Sequence, residues 1–317
     1  MKYYTTKEYL RETIDQYGVA IIPSVLDEME CSQMIDGLWN YFENITKNWE
    51  IPIHRNNQDS WKEILKLYPI HTMLFQYFHC GHSQIAWNLR ENLKILEIFS
   101  HFWECNNEDL LVSFDGFAFG LPPEVIKKGW NQNRTWYHTD QSYTRNEFQS
   151  LQSWVTAFDV NEEDATLGFM EGSNRFHREF ADHFHIESKN DWYKLAKEEE
   201  NFYLTKGCQY KKIKCPKGSI VFWDSRTIHC AIDPIKDRSV PNFRGIIYLC
   251  YQPRKLCDKK NLEKKKKAFL EMRMTNHYPC KIKLFPKNPQ TYGKKLPEFT
   301  MIEKPILTDI GYKLAGF

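Results

Sequence analysis

Lys217-Gly218-Ser219-Ile220-Val221-Phe222-Trp223-Asp224-Ser225-Arg226-Thr227-Ile228-His229 opens on a glycine turn, runs through β-branched and aromatic residues, and ends on a histidine. Such a run reads as a buried strand that delivers His229 at its far end. A second stretch, Trp136-Tyr137-His138-Thr139-Asp140, follows a polar, loop-like region and sets an imidazole and a carboxylate at i and i+2. In an extended segment those side chains share a face, because strand side chains alternate with period two. His138, Asp140 and His229, the last lying 89 residues beyond Asp140, can therefore bind one face of a single ion. Two imidazoles and a carboxylate suit ferrous iron, and ligation from one side leaves three positions open for an oxidant and its co-substrate. The tripeptide His-x-Asp alone carries little weight; the strand context on both sides gives it meaning.

Outward from these stretches, the pattern from Leu110 onward is of short runs rich in Val, Ile, Phe, Tyr and Trp between turn signals. That is how a double-sheet jelly roll reads, a double-stranded β-helix of the cupin kind, so the chain is expected to be mainly β with flanking helices. Helical spacing of apolar residues marks 5–17, through Tyr9, Leu10 and Ile14, and Leu26 to Phe42, through Met29, Met34, Leu38 and Trp39. Ser83 to Trp103 reads as one amphipathic helix packed outside a sheet. The charged stretch Ala181 to Lys206 reads as a helical insertion rather than a strand. One domain is expected over 1–253, with 254–317 a basic extension packed on it, and no internal repeat is visible.

The composition agrees. A chain of 317 residues with 42% hydrophobic and 15% aromatic content can bury one large core. A net charge of +2 argues against a dedicated nucleic-acid binder. The nine cysteines contain no C-x-x-C pair and read as reduced, mostly buried thiols. The start lacks an apolar signal core, and no run approaches the ~20 apolar residues that span a bilayer. The expectation is a soluble, cytoplasmic protein without a membrane span, for which no obligate protein partner can be inferred.

Most of the chain resembles the phytanoyl-CoA dioxygenase family of Fe(II)- and 2-oxoglutarate-dependent oxygenases. Tyr17-Gly18-Val19-Ala20-Ile21-Ile22-Pro23 is similar to the family's opening strand, and Leu151-Gln152-Ser153-Trp154-Val155-Thr156 to its Trp-bearing core strand. Ala165-Thr166-Leu167-Gly168-Phe169-Met170-Glu171-Gly172-Ser173-Asn174 resembles a segment that departs here twice, with Glu171 for the usual Pro and Asn174 for the usual His. Phe243-Arg244-Gly245-Ile246-Ile247-Tyr248 resembles the strand whose leading Arg binds the distal carboxylate of 2-oxoglutarate. A planar, permanently charged fork suits that task. Arg244 lies 15 residues past His229, which a longer loop between neighbouring antiparallel strands would explain. Arg238, in that loop beside Lys236 and Asp237, is the competing candidate and otherwise reads as solvated. The family's assisting hydroxyl two residues past the distal His is replaced by Ala231.

The resemblance implies iron held by His138, Asp140 and His229, with 2-oxoglutarate and O2 as co-substrates. Hydroxylation of a small molecule would release succinate and CO2. Retention of Asp140 favours hydroxylation, because halogenating relatives lose that carboxylate. Trp154 either packs beside 2-oxoglutarate or fills the core. Arg134 and Gln141 flank the ligands and are candidate substrate contacts, as is Asp115, which equally reads as a turn residue capping its own backbone before Gly116. Two other readings stand beside this one: a non-catalytic binding module of the same fold, and a macromolecule-modifying oxygenase. The latter would use the run from Arg254 to Lys267, with eight bases against Asp258 and Glu263, which otherwise reads as a solvated helix face. His79-Cys80-Gly81-His82 reads as a turn. His177, His183 and His185 with Cys208 and Cys215 match no common zinc spacing.

Overall fold

The computed structural model describes residues 2–67, 74–132, 135–289, 293, 295 and 298–317. Two antiparallel sheets face each other. The larger has six strands in the order Val19–Ile22, Ile220–Asp224, Leu151–Thr156, Arg244–Tyr248, Phe117–Gly120 and Leu74–Phe75. The smaller has five, in the order Tyr193–Lys194, His138–Thr139, His229–Ile232, Thr166–Met170 and Tyr210–Lys212. Tyr251–Pro253 pairs separately with Leu110–Val112.

Both faces of the six-stranded sheet are covered, which is why its strands read as unbroken apolar runs instead of alternating ones. Ile220 and Phe222 point outward with Ala20, Val155, Phe117, Phe119 and Ile247 into a cluster shared with the helices Leu10–Tyr17, Glu28–Ile45 and Leu93–Trp103. Val221 and Trp223 point the other way with Val19, Ile21, Trp154 and Ile246, toward Leu167 and Phe169 of the second sheet. Strand parity then fixes what faces the space between the sheets: Gln152 and Trp154 on one strand, Arg244, Ile246 and Tyr248 on the next. Gly218 turns the chain into the Ile220 strand with φ of 75°, where a Cβ would lie 2.2 Å from the Leu26 carbonyl oxygen, so a side chain is excluded there.

Several elements differ from their sequence reading. The Ser83 to Trp103 stretch is two helices, Gln84–Arg90 and Leu93–Trp103, because the Asn92 side chain accepts from the Lys94 N–H at 3.0 Å and caps the second. The 181–206 insertion is not wholly helical. Between His177–His183 and Lys197–Thr205 lies the short strand Tyr193–Lys194, paired with His138–Thr139, so the insertion extends the ligand-bearing sheet. The helix Lys259–Leu270 is not a simple solvated face either. Lys265 is fully buried, its ammonium on the Val112 carbonyl and 4.0 Å from the Phe114 ring centre. Arg254 donates to the carbonyls of Lys313, Gly316 and Phe317, and Lys264 to that of Ile282. Ala268, Phe269, Met274, Ile282, Leu314 and Ala315 share the cluster that holds Leu10 and Phe42.

Cys80–His82 is a buried 3-10 turn, with His82 hydrogen-bonded to the Arg273 carbonyl. All nine cysteines are free and seven are buried. Of residues 285–317, 290–292, 294, 296 and 297 lie outside the described residues. Among the described residues no helix is long and apolar enough to cross a membrane.

Candidate metal centre

His138 and His229 are direct cross-strand partners in the five-stranded sheet. Directly opposed residues in an antiparallel pair project to the same side, and the imidazole centres lie 4.4 Å apart. Asp140 follows where the strand ends. One of its oxygens is 3.5 Å from His138 Nε2, the other 3.4 Å from His229 Nε2. The far strand is shaped by Asp224, whose buried carboxylate takes the Arg226 fork at 2.6 to 3.1 Å and turns the chain toward His229.

The ring nitrogens are sorted by their outer contacts. His138 Nδ1 donates to the Trp136 carbonyl at 3.2 Å, and His229 Nδ1 to the Thr227 carbonyl at 2.9 Å. Each contact fixes the tautomer and leaves the Nε2 lone pair facing Asp140. Burial, and then the neighbouring His229, pull His138 down to about 3, so its ring is neutral and free to ligate. Burial opposes ionisation of Asp140, but the surrounding imidazoles, His277 foremost, outweigh it and hold the carboxyl well below the usual range. His138, Asp140 and His229 each offer one donor atom, all within 4.8 Å of one another. Donors on one face of a divalent ion, with bonds of roughly 2 Å, lie about 3 Å apart, and the carboxylate-to-imidazole separations of 3.5 and 3.4 Å come close to that, so the residues fit iron. Gln152 donates to Asp140 at 3.1 Å and steadies it from the opposite sheet.

Beside this centre, on the inner face of the six-stranded sheet, Arg244 is buried. It donates to the Ala165 carbonyl at 2.7 Å, hydrogen-bonds Tyr248, and lies 5.7 Å from the Trp154 ring centre. Burial pulls its guanidinium below its ordinary value, and among the described residues it forms no ion pair. Trp154 Nε1 is likewise buried without a partner. Arg238 is not the solvated residue its neighbours suggest. It is 7% exposed and holds Glu124 through two bonds of 2.7 and 3.0 Å and Asp164 at 2.7 Å. Nor are the strands on either side of its loop neighbours: His229–Ile232 lies in one sheet and Arg244–Tyr248 in the other, so residues 233–243 cross between sheets. Ala231 is exposed.

The remaining candidates separate. Arg134 lies outside the described residues. Gln141 is turned away from the centre: its amide donates to the Glu147 carbonyl at 2.8 Å and its oxygen accepts from Ser225 at 2.8 Å, so its polar atoms serve the loop. Asp115 caps its own backbone, as the turn reading has it, and is buried as well. One oxygen accepts the Gly116 N–H at 2.8 Å, and the carboxyl is buried, which pushes it above its ordinary value. The departures at 171 and 174 tie down the N-terminal segment: Glu171 pairs with Lys2 at 2.6 Å and with Tyr3, while Asn174 donates to the Ile14 carbonyl at 3.1 Å.

The sequence reading missed His277 and Tyr278. Tyr278 donates to the Asp140 carbonyl at 3.1 Å, and His277 is the largest charge influence on Asp140. Missed also was Trp192, one of the two rings beside His138. Trp136 stacks on it at 4.7 Å and 1°, and Trp192 lies 5.6 Å away with 51% exposure. His-Tyr within an irregular, proline-bearing stretch gave no periodic signal.

Comparison with known proteins agrees with the geometry. The chain is 24% identical over 292 residues to Ava biosynthesis cluster protein O of Aspergillus versicolor, covering 87% of this chain and 88% of that one. Among solved structures it is similar to a hypothetical protein from Escherichia coli, with a TM-score of 0.59 at 14% identity over 99% of this chain and 82% of the other. It is also similar to the GlcNAc-inducible gene 2 protein of Candida albicans, with a TM-score of 0.54 at 14% identity over 83% and 67%. Residues 14–233 match the family model described as phytanoyl-CoA dioxygenase. That span contains all three metal ligands, and the chain therefore belongs to the phytanoyl-CoA dioxygenase family of Fe(II)- and 2-oxoglutarate-dependent oxygenases.

Proposed function

We propose that the chain hydroxylates a small-molecule substrate, with release of succinate and CO2. The observation that carries this reading is a complete His138, Asp140 and His229 donor set in a fold that also turns Arg244, a buried arginine with no ion pair among the described residues, into the space between the sheets. When bound, Fe(II) with 2-oxoglutarate and O2 supplies the oxidising chemistry. The chain supplies the rest. His138, Asp140 and His229 hold the ion from one side, and the Trp136 and Thr227 carbonyls keep the two imidazoles in register. Arg244 binds the far carboxylate of 2-oxoglutarate, with Trp154 beside it. The sheet-to-sheet core of Val221, Trp223 and Ile246 excludes water from that end. Retention of Asp140 as third ligand supports hydroxylation over halogenation.

A macromolecular substrate guided by the 254–267 run has less support, since Arg254, Lys264 and Lys265 are held by carbonyls, and Lys266 and Lys267 pair with Glu263 and Glu271. The test is anaerobic titration of the Fe(II)-loaded chain with 2-oxoglutarate, followed by the visible metal-to-ligand charge-transfer band. A band in the native chain and none in His229→Ala is expected. A well-folded, iron-loaded native chain without the band overturns the reading in favour of a non-catalytic relative of the fold.

A further inference from the structure

The residues after the family-matched span build part of the metal centre's surroundings. Met274 to Phe285 doubles back on itself: Thr275 bridges to Leu284, Asn276 donates to the Lys283 carbonyl at 3.0 Å, and Phe285 donates to that of Met274 at 3.0 Å. One limb is fastened to the segment before Asp115. The Thr275 N–H donates to the Phe114 carbonyl at 3.0 Å, and the Phe114 N–H donates to Thr275 Oγ1 at 3.0 Å. The tip is fastened to the metal centre, where Tyr278 reaches the Asp140 carbonyl. His277 lies between the two attachments along the chain, and burial pulls its ring below its ordinary value against the opposing influence of the Asp140 and Asp115 carboxylates.

His277 Nε2 is enclosed and has no hydrogen-bond partner among the described residues. Asp115 is 8% exposed, and the one hydrogen bond its carboxylate makes among the described residues is from the Gly116 N–H; Arg90 donates to the Asp115 backbone carbonyl at 2.9 Å instead of to the carboxylate. An enclosed polar atom without a partner is costly, and a wall that carries His277 Nε2 and a buried carboxylate beside a reaction centre is matched by a ligand that satisfies them. Opposite in character, Trp192 presents an exposed indole beside His138. It is carried on a segment held by Asp191, which pairs with Lys283 at 2.6 Å and with Arg145.

We propose that His277 and Asp115 form the polar wall of the substrate site and select a small molecule with an amine or hydroxyl donor on a flat apolar body, the body lying against Trp192. This rests on the oxygenase reading above and names its substrate class. Asp115 accepts the donor hydrogen, His277 bonds the same heteroatom, and a plain acyl chain in that place leaves both unsatisfied. A site built to hydrogen-bond a substrate group discriminates strongly against the analogue that lacks it.

The test uses the full chain loaded with Fe(II) and 2-oxoglutarate under anaerobic conditions, with binding followed by saturation-transfer NMR. The probes are matched pairs: tryptamine against 3-ethylindole, and tyramine against 4-ethyltoluene, with palmitoyl-CoA as the acyl compound. In the native chain the donor-bearing member of a pair binds at least about tenfold tighter than its counterpart. His277→Leu reduces that preference to below about threefold, and His277→Gln, which keeps a donor and an acceptor, retains most of it. Equal binding within the pairs, preferred binding of palmitoyl-CoA, no binding by any donor-bearing probe at millimolar concentration, or a preference that persists in His277→Leu overturns the proposal. The charge-transfer band is read in the same samples. A native chain that has the preference but lacks the band refutes the oxygenase reading and leaves the wall standing; the band without the preference does the reverse.

Discussion

Arg238 and Arg244 lie six residues apart and are equally buried, at 7% exposure each, yet they do opposite things. The first sits in the inter-sheet crossing and is saturated by Glu124, Asp164 and the Asn242 carbonyl. The second begins a central strand and faces the inter-sheet space with a backbone carbonyl, a tyrosine and an aromatic ring for company. Burial alone therefore does not mark a ligand anchor. What distinguishes one is charge capacity that the protein leaves unmatched.

Breaking the comparison from the saturated side gives the largest effect. Arg238→Ala strands Glu124 and buried Asp164, and is expected to lower stability by about 3–5 kcal/mol in urea unfolding; a loss under ~1 kcal/mol would show that the ion pairs are incidental. From the open side, Arg244→Ala is expected to raise the 2-oxoglutarate Kd about 100-fold, or ~2.7 kcal/mol. Arg238→Ala, measured under conditions where it stays folded, should change that Kd by less than about threefold. The reverse ranking in the same titration moves the anchor into the crossing loop.

Gln141 sharpens the contrast within the metal centre. Because its amide is saturated by Ser225 and the Glu147 carbonyl, Gln141→Ala is expected to cost about 1–3 kcal/mol of stability without altering the preference between matched probes. A shift in preference at full stability would return it to the substrate site.

Lys265 gives the smallest and most pH-specific signal. Burial pulls it down to about 7 from its ordinary 10.5. Its folded value is depressed, so the stability it contributes is complete above the unfolded value and is lost as pH falls toward 7. Below that both states are protonated and the dependence is flat. Between about pH 7 and pH 8 the native chain should gain stability relative to Lys265→Met, by at most ~1.4 kcal/mol per pH unit. Parallel pH profiles for the two would mean that the buried amine titrates normally.

The metal ligands were legible because local rules suffice for them. His138 and Asp140 share a face by period two, and His229 ends a run whose apolarity announces a strand covered on both sides. Arg244 was picked out by resemblance alone; its parity with Ile246, which turns it inward, belongs to the folded strand. Arg238 was not, since Lys236 and Asp237 beside it say solvent while its partners, Glu124 and Asp164, come from 114 and 74 residues away. Lys265 misled in the same way, buried amid a run of bases. The break at Asn92 was readable as a cap and was overridden by the apolar periodicity around it. His277 had no local signal at all: it is placed by the contact between Thr275 and Phe114, which only the folded chain makes.

The doubled-back segment that carries His277 also sets an order of events. A nascent chain displays His138, Asp140 and His229 before residues 274–285 exist. Lys283 follows His229 by 54 residues, an interval of about 3 to 11 s at ~5–20 residues per second of synthesis. The side of the metal centre that carries His277 and Tyr278 is thus added only after all three ligands have been made.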